Sequence, residues 1–552
     1  MEVQERSARS PLIVENWEKA LALHPDRPMV DWIIAGFKDG FMFGSSEEVV
    51  RQLYKGNNSS AKLQPEVIMA WLIEELKLAR VVELFPETNP SHAAWVAQAH
   101  VFPLGLAAKH ALSPEALMKY RTTSDLTRNG VNGSIAHGTA SLVYVTTDAV
   151  ARKFALLPAG AMGALLDVRA AYRIMKLSPH EFSKCVFKLD GRTFVDTFLP
   201  FGVASGPVLY DQLGALLQWI VEQRTGISIT RLLDDNALAD APGQKVVEAL
   251  SDFRVACEEL GVPVADDKLQ FAAEVLRFLG LLWDFKNRSV GLPLDKWRRL
   301  RALLALLQGG SAVRVAELES VVGFLSWAAK VIRFGRASIR ALHDQLRECN
   351  AADSTWTTLS EGARADVHWW AEILEHEGEV ATTLPFDWFL ELPPTRVGWT
   401  DSSGDGGGGL EGHDFYSVLW PSQGIRLDSD ESSIAFMEML AVFVLAVQAG
   451  ERWRGEIVWI FVDNESIVQA WKKTSSPCPR LMDVIRSLCL HLTLHGVREL
   501  RLKWIPTKQN PVADYLSRCK GFVDSCLLRA LAPGLTRRWI VPDSLLALHA
   551  RH

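Results

Sequence analysis

The chain has 552 residues, room for three to four domains at about 150 residues each, and its 48% hydrophobic and 22% charged residues are the balance of a globular protein rather than a disordered or fibrous one. No stretch holds about 18 uninterrupted apolar residues, and the opening MEVQERSARSPLIVENWEK has no apolar core, so neither a membrane span nor a secretory leader is expected, and the expected place is intracellular, in cytoplasm or nucleus. A net charge of −6 gives no global attraction to polyanions, and seven cysteines with no CxxC pair fit free thiols in a reducing compartment and argue against a structural zinc site.

Residues 1–60 read as helices and loops, with NWEKALALH and MVDWIIAGFKDG near helical spacing and an Asn/Ser-rich break in KGNNSSAK. An amphipathic helix is expected over 65–82. In LMKYRTTSDL, Lys119 and Arg121 are two residues apart, so on a strand they share a face, either gripping phosphates or forming a solvated edge. An apolar strand over 161–166 ends at Asp167. KCVFKL and RTFVDTFL flank Asp190-Gly191, the signature of a type I′ hairpin. PFGVASGP then leads from a turn into a long helix. SITRLLDDNALAD reads as strand, tight turn and strand, with Asp234 and Asp235 at the turn. VVEALSDFRVACEEL is helical, and LRFLGLLWDF with the following Lys286-Asn287 reads as a further hairpin. This order predicts an α+β unit, an antiparallel sheet covered on one face.

Residues 294–349 are expected to be helical, and 295–348 carry ten basic against five acidic residues, a local positive field suited to a nucleic-acid duplex or else a solvated helical face. A helix rich in Trp follows over 354–378. From 396, TRVGWTD, FYSVLWP and GIRL read as short strands. Helix 431–449, strand 457–462, helices 464–473 and 479–494, strand 499–505 and helix 510–518 complete a mixed sheet with helices on its faces. The run GDGGGGL reads as a flexible hairpin turn, His368 and His413 lack metal-ligand spacing, and the residues after 521 carry no signal.

Two acidic sets stand out: Asp167, Asp234 and Asp235 in the first half, and Asp401, Glu438, Asp463 and Asp514 in the second. A strand-end Asp and an Asp-Asp turn can converge to hold divalent ions for nucleotide transfer, and four carboxylates from separate elements can do so for phosphodiester hydrolysis.

Over roughly residues 60–350 the chain resembles the reverse transcriptases of retroelements. DVRAAYRIMKLSP resembles the family's first catalytic motif, LPFGVASGP its second, with Phe201 and Gly202, and LLDD its third. ELGVPVADDKLQF resembles the fourth, RFLGLLWD the primer grip and LMKYRTTSDL the fingers strand. The resemblance implies that Asp167, Asp234 and Asp235 are metal ligands and that Lys119, Arg121 and Lys268 lie near the triphosphate. It also implies that Tyr172 is a steric gate against ribonucleotides. Leu232 stands where most relatives have an aromatic residue, which implies altered packing at the site.

Residues 396–518 resemble ribonuclease H, most specifically in WIFVDNESIVQAW and WIPTKQNPVADYLSR; the loop PTKQN lacks the His that the family often carries. A right-hand polymerase of fingers, palm and thumb is therefore expected, followed by an α/β ribonuclease H-like domain with a mixed five-stranded sheet. The expected divisions are 1–60 as an N-terminal helical extension, 61–290 as fingers and palm, 291–350 as thumb, 351–395 as connection, 396–520 as ribonuclease H and 521–552 as tail. The implied activity is RNA-directed DNA synthesis with cleavage of the RNA strand of RNA–DNA hybrids, using two Mg²⁺, or alternatively Mn²⁺, per site. The implied partners are RNA template, DNA primer, hybrid and dNTPs, with no membrane; recombinase or integrase and capsid proteins would be encoded separately. Details at the N-terminus and in the second half look closest to DIRS-like, tyrosine-recombinase elements, with LTR-type elements next. The rival readings are a decayed or domesticated copy that binds hybrid without catalysis, and an RNA-dependent RNA polymerase, against which Tyr172 and the second acidic set argue.

Overall fold

The computed structural model describes residues 2–46, 49–109, 119–136, 142–309, 312–376, 383–425, 431–519, 521–542 and 545. The chain divides into two compact units, Met1–Arg288 and Ser289–His552.

In the first unit, strand Met162–Asp167 pairs antiparallel with Asp235–Asp240, which pairs antiparallel with Ile229–Leu232, and Gln270–Ala273 closes the other edge. Helix Gly243–Leu260 covers this sheet with Val246, Leu250, Phe253 and Ala256, an apolar stripe at helical spacing. A second sheet runs Val81–Leu84, Arg192–Asp196, Val186–Leu189, Val101–Phe102. Its hairpin turns at Asp190 and Gly191, both at positive φ (49° and 77°), as a type I′ turn requires. The helix expected over 65–82 ends at Lys77, and Val81-Val82 instead opens a strand, where β-branched side chains pack well. The later segment turns twice, at Leu279-Gly280 and again over 285–288, where Lys286-Asn287 is expected to turn. The N-terminal helices are packed into this unit: Trp17 is fully buried and donates to the Leu260 carbonyl at 2.9 Å.

The second unit opens with helices Leu294–Gln308, Val315–Ala328, Arg340–Ala351 and Glu361–Glu375. Asp366, fully buried, pairs with Arg486 at 2.8 Å and joins the last of these to helix Pro479–Leu494. The sheet beyond has the order Glu499–Trp504, Ile457–Val462, Arg396–Ser402, Gly406–Glu411, Asp414–Leu419, Arg537–Arg538. The first three strands are parallel neighbours, and the next two join as antiparallel hairpins.

Two expectations are corrected here. The sheet has six strands rather than five, because Arg537–Arg538 from the tail adds in parallel to Asp414–Phe415. The glycine run is not a turn but a strand inside the sheet, Gly406–Glu411. A Cβ on Gly407 would lie 2.2 Å from Trp420, one on Gly408 2.5 Å from Leu516 and the Ser517 nitrogen, and one on Gly409 2.6 Å from Tyr416. Glycine is used because neighbouring groups approach the backbone directly. The third strand is therefore Asp414–Leu419; Gly424 and Ile425 form no strand, and the rest of GIRL lies outside the described residues.

Helix Glu431–Ala449 packs at Gly398, where a Cβ would meet Leu445 at 2.9 Å, whereas helix Pro511–Arg518 packs at Gly408, the partner of Asp401. Positions 398 and 401 have opposite parity on the strand, so the two helices cover opposite faces. One helical segment, Ile434–Trp453, is long and apolar enough to cross a membrane by length and composition; most of it is buried within the fold, as in a core helix.

Candidate active sites

The first site is built by strand register. Asp167, the last residue of its strand, stands opposite Asp235 across the ladder, and Asp234 occupies the two-residue turn that Leu232 and Asp235 close. Leu233 takes positive φ (52°) to make that turn. The Asp234 carbonyl is held by Val168 N (3.0 Å) and Asn236 Nδ2 (2.9 Å), which ties the turn to the strand bearing Asp167. Asp167 is buried, its Oδ2 accepts from Lys268 Nζ at 2.7 Å, and its Oδ1 has no partner. Burial, and then the charges of Asp234 and Asp167, push Asp235 up to about 7; burial and then Asp167 raise Asp234. One ammonium in direct contact does not neutralise this acidic group.

Above it, Arg121 lies over the Phe201 ring at 4.8 Å, and Phe201 packs on Tyr172 with centroids 5.2 Å apart. Burial pushes the Tyr172 hydroxyl up to about 12. Gly202 has φ 128°, and a Cβ there would lie 1.9 Å from the Ser124 carbonyl oxygen, so this loop can meet the Lys119–Ser124 strand only through glycine. The strand begins at Lys119, whose side chain lies outside what the structure describes.

Two contributors carried no sequence signal. Asn132 donates to the Gly202 carbonyl (2.8 Å) and accepts from Ala204 N (2.9 Å), clamping the loop; it sits in a segment whose composition reads only as a turn. Arg231, in the strand that leads into the Leu233-Asp234 turn, pairs with Asp211 at 2.7 Å. Leu232, the departure from the family pattern, lines a cavity of about 460 Å³ together with Tyr144, Asp211, Gln218 and Arg231.

In the second site, Asp401 comes from strand Arg396–Ser402, Glu438 from helix Glu431–Ala449, and Asp463 from the residue after strand Ile457–Val462. One carboxylate oxygen from each lies within 4.8 Å of the others, and among the described residues this is the acidic or His/Cys group so drawn together. Asp167, Asp234 and Asp235 do not meet that spacing, and Asp514 stands outside the second group, its Oδ1 accepting from Arg518 Nε and Nη2 at 2.9 and 2.7 Å. Burial pushes Asp401 up to about 6 against the Ser517 hydrogen bond, which lowers it; burial and then Asp401 and Asp463 raise Glu438 well above its ordinary value. Thr507, in the loop without a His, donates to Asp463 Oδ2 at 2.7 Å, and Ser517 donates to Asp401 Oδ2 at 2.6 Å. Neither was legible, since a lone hydroxyl residue in a loop or helix has many roles. His413 Nδ1 instead meets the Gly534 carbonyl at 2.8 Å, within the tail packing.

The donor sets are all oxygen, as hard divalent cations require. Glu438 Oε2 and Asp167 Oδ1 are buried without hydrogen-bond partners, so each site retains acceptor capacity that its protein groups do not use. The group of Asp401, Glu438 and Asp463 has the spacing to hold a metal ion.

No family model matches the chain, and no curated protein matches it. Among solved structures it is similar to the foamy viral protease-reverse transcriptase. The dRH form with double-stranded DNA is 13% identical, at TM-score 0.46, over 89% of this chain and 82% of that one. The complex with RNA/DNA hybrid is 12% identical, at TM-score 0.41, over 93% and 86%. A further complex with double-stranded DNA is 14% identical, at TM-score 0.44, over 90% and 98%.

Proposed function

We propose that the chain is an RNA-directed DNA polymerase in its first unit and a ribonuclease H in its second. The observation that carries this reading is the presence, one in each unit, of two acidic sites that each leave a buried carboxylate oxygen unpartnered: Asp167 Oδ1 beside Asp235, and Glu438 Oε2 beside Asp401 and Asp463.

In the first site, Asp167, Asp234 and Asp235 would hold the ions, and in the second Asp401, Glu438 and Asp463, with Asp514 joining once Arg518 yields it. Bound Mg²⁺ supplies Lewis-acid stabilisation of the charge that develops on phosphoryl oxygens. The residues of the chain bind and orient. Arg121 would meet the incoming triphosphate, Lys119 is assigned the same role, and Lys268 balances Asp167 until substrate phosphates draw it away. Phe201 and Gly202 form the floor beneath the nascent pair, and Tyr172 crowds the sugar 2′ position. Template RNA, DNA primer and dNTPs are the substrates of the first site, and the RNA–DNA hybrid that it makes is the substrate of the second. The motifs favour a retrotransposon enzyme of the DIRS-like group acting inside the cell. The divisions into fingers and palm (61–290), thumb (291–350), connection (351–395) and ribonuclease H (from 396) follow the same reading.

Primer extension on an RNA template with Mg²⁺, comparing dNTPs with rNTPs, tests the first activity, and cleavage of a hybrid labelled in its RNA strand tests the second. Extension with dNTPs and cleavage that Asp463→Asn abolishes are expected. Extension with rNTPs alone would replace the reading with that of an RNA polymerase, and hybrid binding without either reaction would replace it with that of a non-catalytic copy.

A further inference from the structure

Helix Pro511–Arg518 is fastened across strand Arg396–Ser402 at both ends. At its start the buried Asn510 donates from Nδ2 to the Thr400 carbonyl at 2.9 Å. At its end the fully buried Ser517 hydroxyl lies 2.6 Å from Asp401 Oδ2, and Ser403 Oγ donates to the Ser517 carbonyl at 3.0 Å. The same hydroxyl lies 2.8 Å from the Asp514 carbonyl. It has a single proton, and the shorter, charge-assisted contact to the carboxylate is the stronger claim on it. Gly408, opposite Asp401, makes this approach possible, because any side chain there would collide with the Ser517 backbone.

Asp401 is crowded. Glu438 and Asp463 each place a carboxylate oxygen within 4.8 Å of its own, and like charges so close would turn its carboxylate away. A hydrogen bond on Oδ2 opposes that rotation. We propose that Ser517 is the positioning residue of the second site, holding Asp401 in the orientation that presents it to the divalent ion with Glu438 and Asp463. This rests on the nuclease reading above. Ser517 touches no substrate in this role; it acts through Asp401, as groups behind metal ligands commonly do.

The test uses the full chain carrying Asp234→Asn, so that the metal response of the first unit is suppressed. Thermal unfolding is followed in EDTA and through a Mg²⁺ titration, and hybrid cleavage is followed through the same titration. Ser517→Ala, and Ser517→Cys, which keeps the volume with a weak donor, should need roughly tenfold or more Mg²⁺ for half of the thermal shift. Ser417→Ala removes a different fastening of the same helix, the 2.7 Å bond to the Leu516 carbonyl, without touching Asp401. It should lower the melting temperature in EDTA and leave the Mg²⁺ midpoint in place. A Ser517→Ala or Ser517→Cys chain with the parent midpoint overturns the proposal, as does a Ser417→Ala chain whose midpoint moves equally. A parent with neither cleavage nor a Mg²⁺ shift overturns the nuclease reading itself, a result distinct from either.

Discussion

Asp167 and Asp235 stand opposite one another in register across two antiparallel strands, on the same face, with Asp234 in the adjoining turn. Register alone therefore gathers three carboxylates from positions nearly 70 residues apart in the chain. Because the second acidic group belongs to the other unit, the two activities should separate. Asp234→Asn is expected to abolish primer extension while hybrid cleavage proceeds at close to the parent rate. Loss of both to the same extent in paired assays would mean that the sites are not independent.

The crowding of acids has a signed consequence for stability. Asp235 is raised to about 7 and Asp401 to about 6, above an ordinary carboxyl near 4, so the folded state binds their protons more tightly than the unfolded state does. Their contribution to stability is fully present below about pH 4 and is lost as pH rises through about 6 to 7. Without metal, Asp235→Asn should melt at a higher temperature than the parent at pH 8, and the difference should shrink toward pH 5. Mg²⁺ relieves the same repulsion, so its stabilising shift should be larger at pH 8 than at pH 5. Calorimetry across that range decides it; a shift independent of pH would mean that the carboxylates are not strained by one another.

Tyr172 packs against Phe201 and Tyr210, with centroids 5.2 and 5.7 Å away, on the side from which Arg121 approaches. It is half-buried. Tyr172→Ala should raise use of rNTPs relative to dNTPs by roughly tenfold or more, the scale on which a steric pocket discriminates. Single-nucleotide incorporation measures it, and unchanged discrimination would reduce Tyr172 to a core residue.

Gly408 tests the account of the glycine strand. With a Cβ only 2.5 Å from Leu516 and from the Ser517 nitrogen, Gly408→Ala must push helix Pro511–Arg518 away from Asp401. Overpacking of this kind costs about 1–3 kcal/mol. Hybrid cleavage should fall sharply while primer extension persists. Full cleavage would show that the helix can be displaced without consequence.

What the sequence made legible follows from what periodicity reports. Strand Ile457–Val462 and helix Pro479–Leu494 lie where expected, because each buries its own apolar side chains and so prints its period in the sequence. The glycine strand was missed because the burying groups, Trp420, Leu516 and Tyr416, belong to other segments. The acidic residues stood out because carboxylates at strand ends are conspicuous, and the motifs around them are long. Asn132, Arg231, Thr507 and Ser517 act by hydrogen bonds and ion pairs that cross the fold, and one polar residue gives no sign of its distant partner. Asp514 pairs with Arg518 and lies outside the 4.8 Å group of Asp401, Glu438 and Asp463, yet its charge still acts on Asp401.

The tail was silent in sequence, yet its described part belongs to the second unit. Leu528 and Leu535 form a small core with Phe415 and Leu516, and Arg537 and Arg452 both pair with the buried Asp414, at 2.9 and 2.7 Å. Arg452 also lies over the Trp539 ring at 4.7 Å, and the Trp539 backbone N–H donates to the Phe415 carbonyl at 2.7 Å. Leu516 sits on the helix that carries Asp514 and Ser517, so the tail supports that helix from behind. Ending the chain at Cys519 would uncover Phe415 and Leu516, unpair an edge strand and leave Asp414 with one cation fewer. The truncated chain should lose hybrid cleavage and unfold its second unit at lower temperature, while primer extension at 25 °C remains measurable. Asp414→Asn should reproduce a part of that loss, since it removes the charge on which Arg452 and Arg537 converge, although Arg452 keeps Glu411 at 3.3 Å. A truncated chain that cleaves hybrid like the parent would place the tail outside the working nuclease.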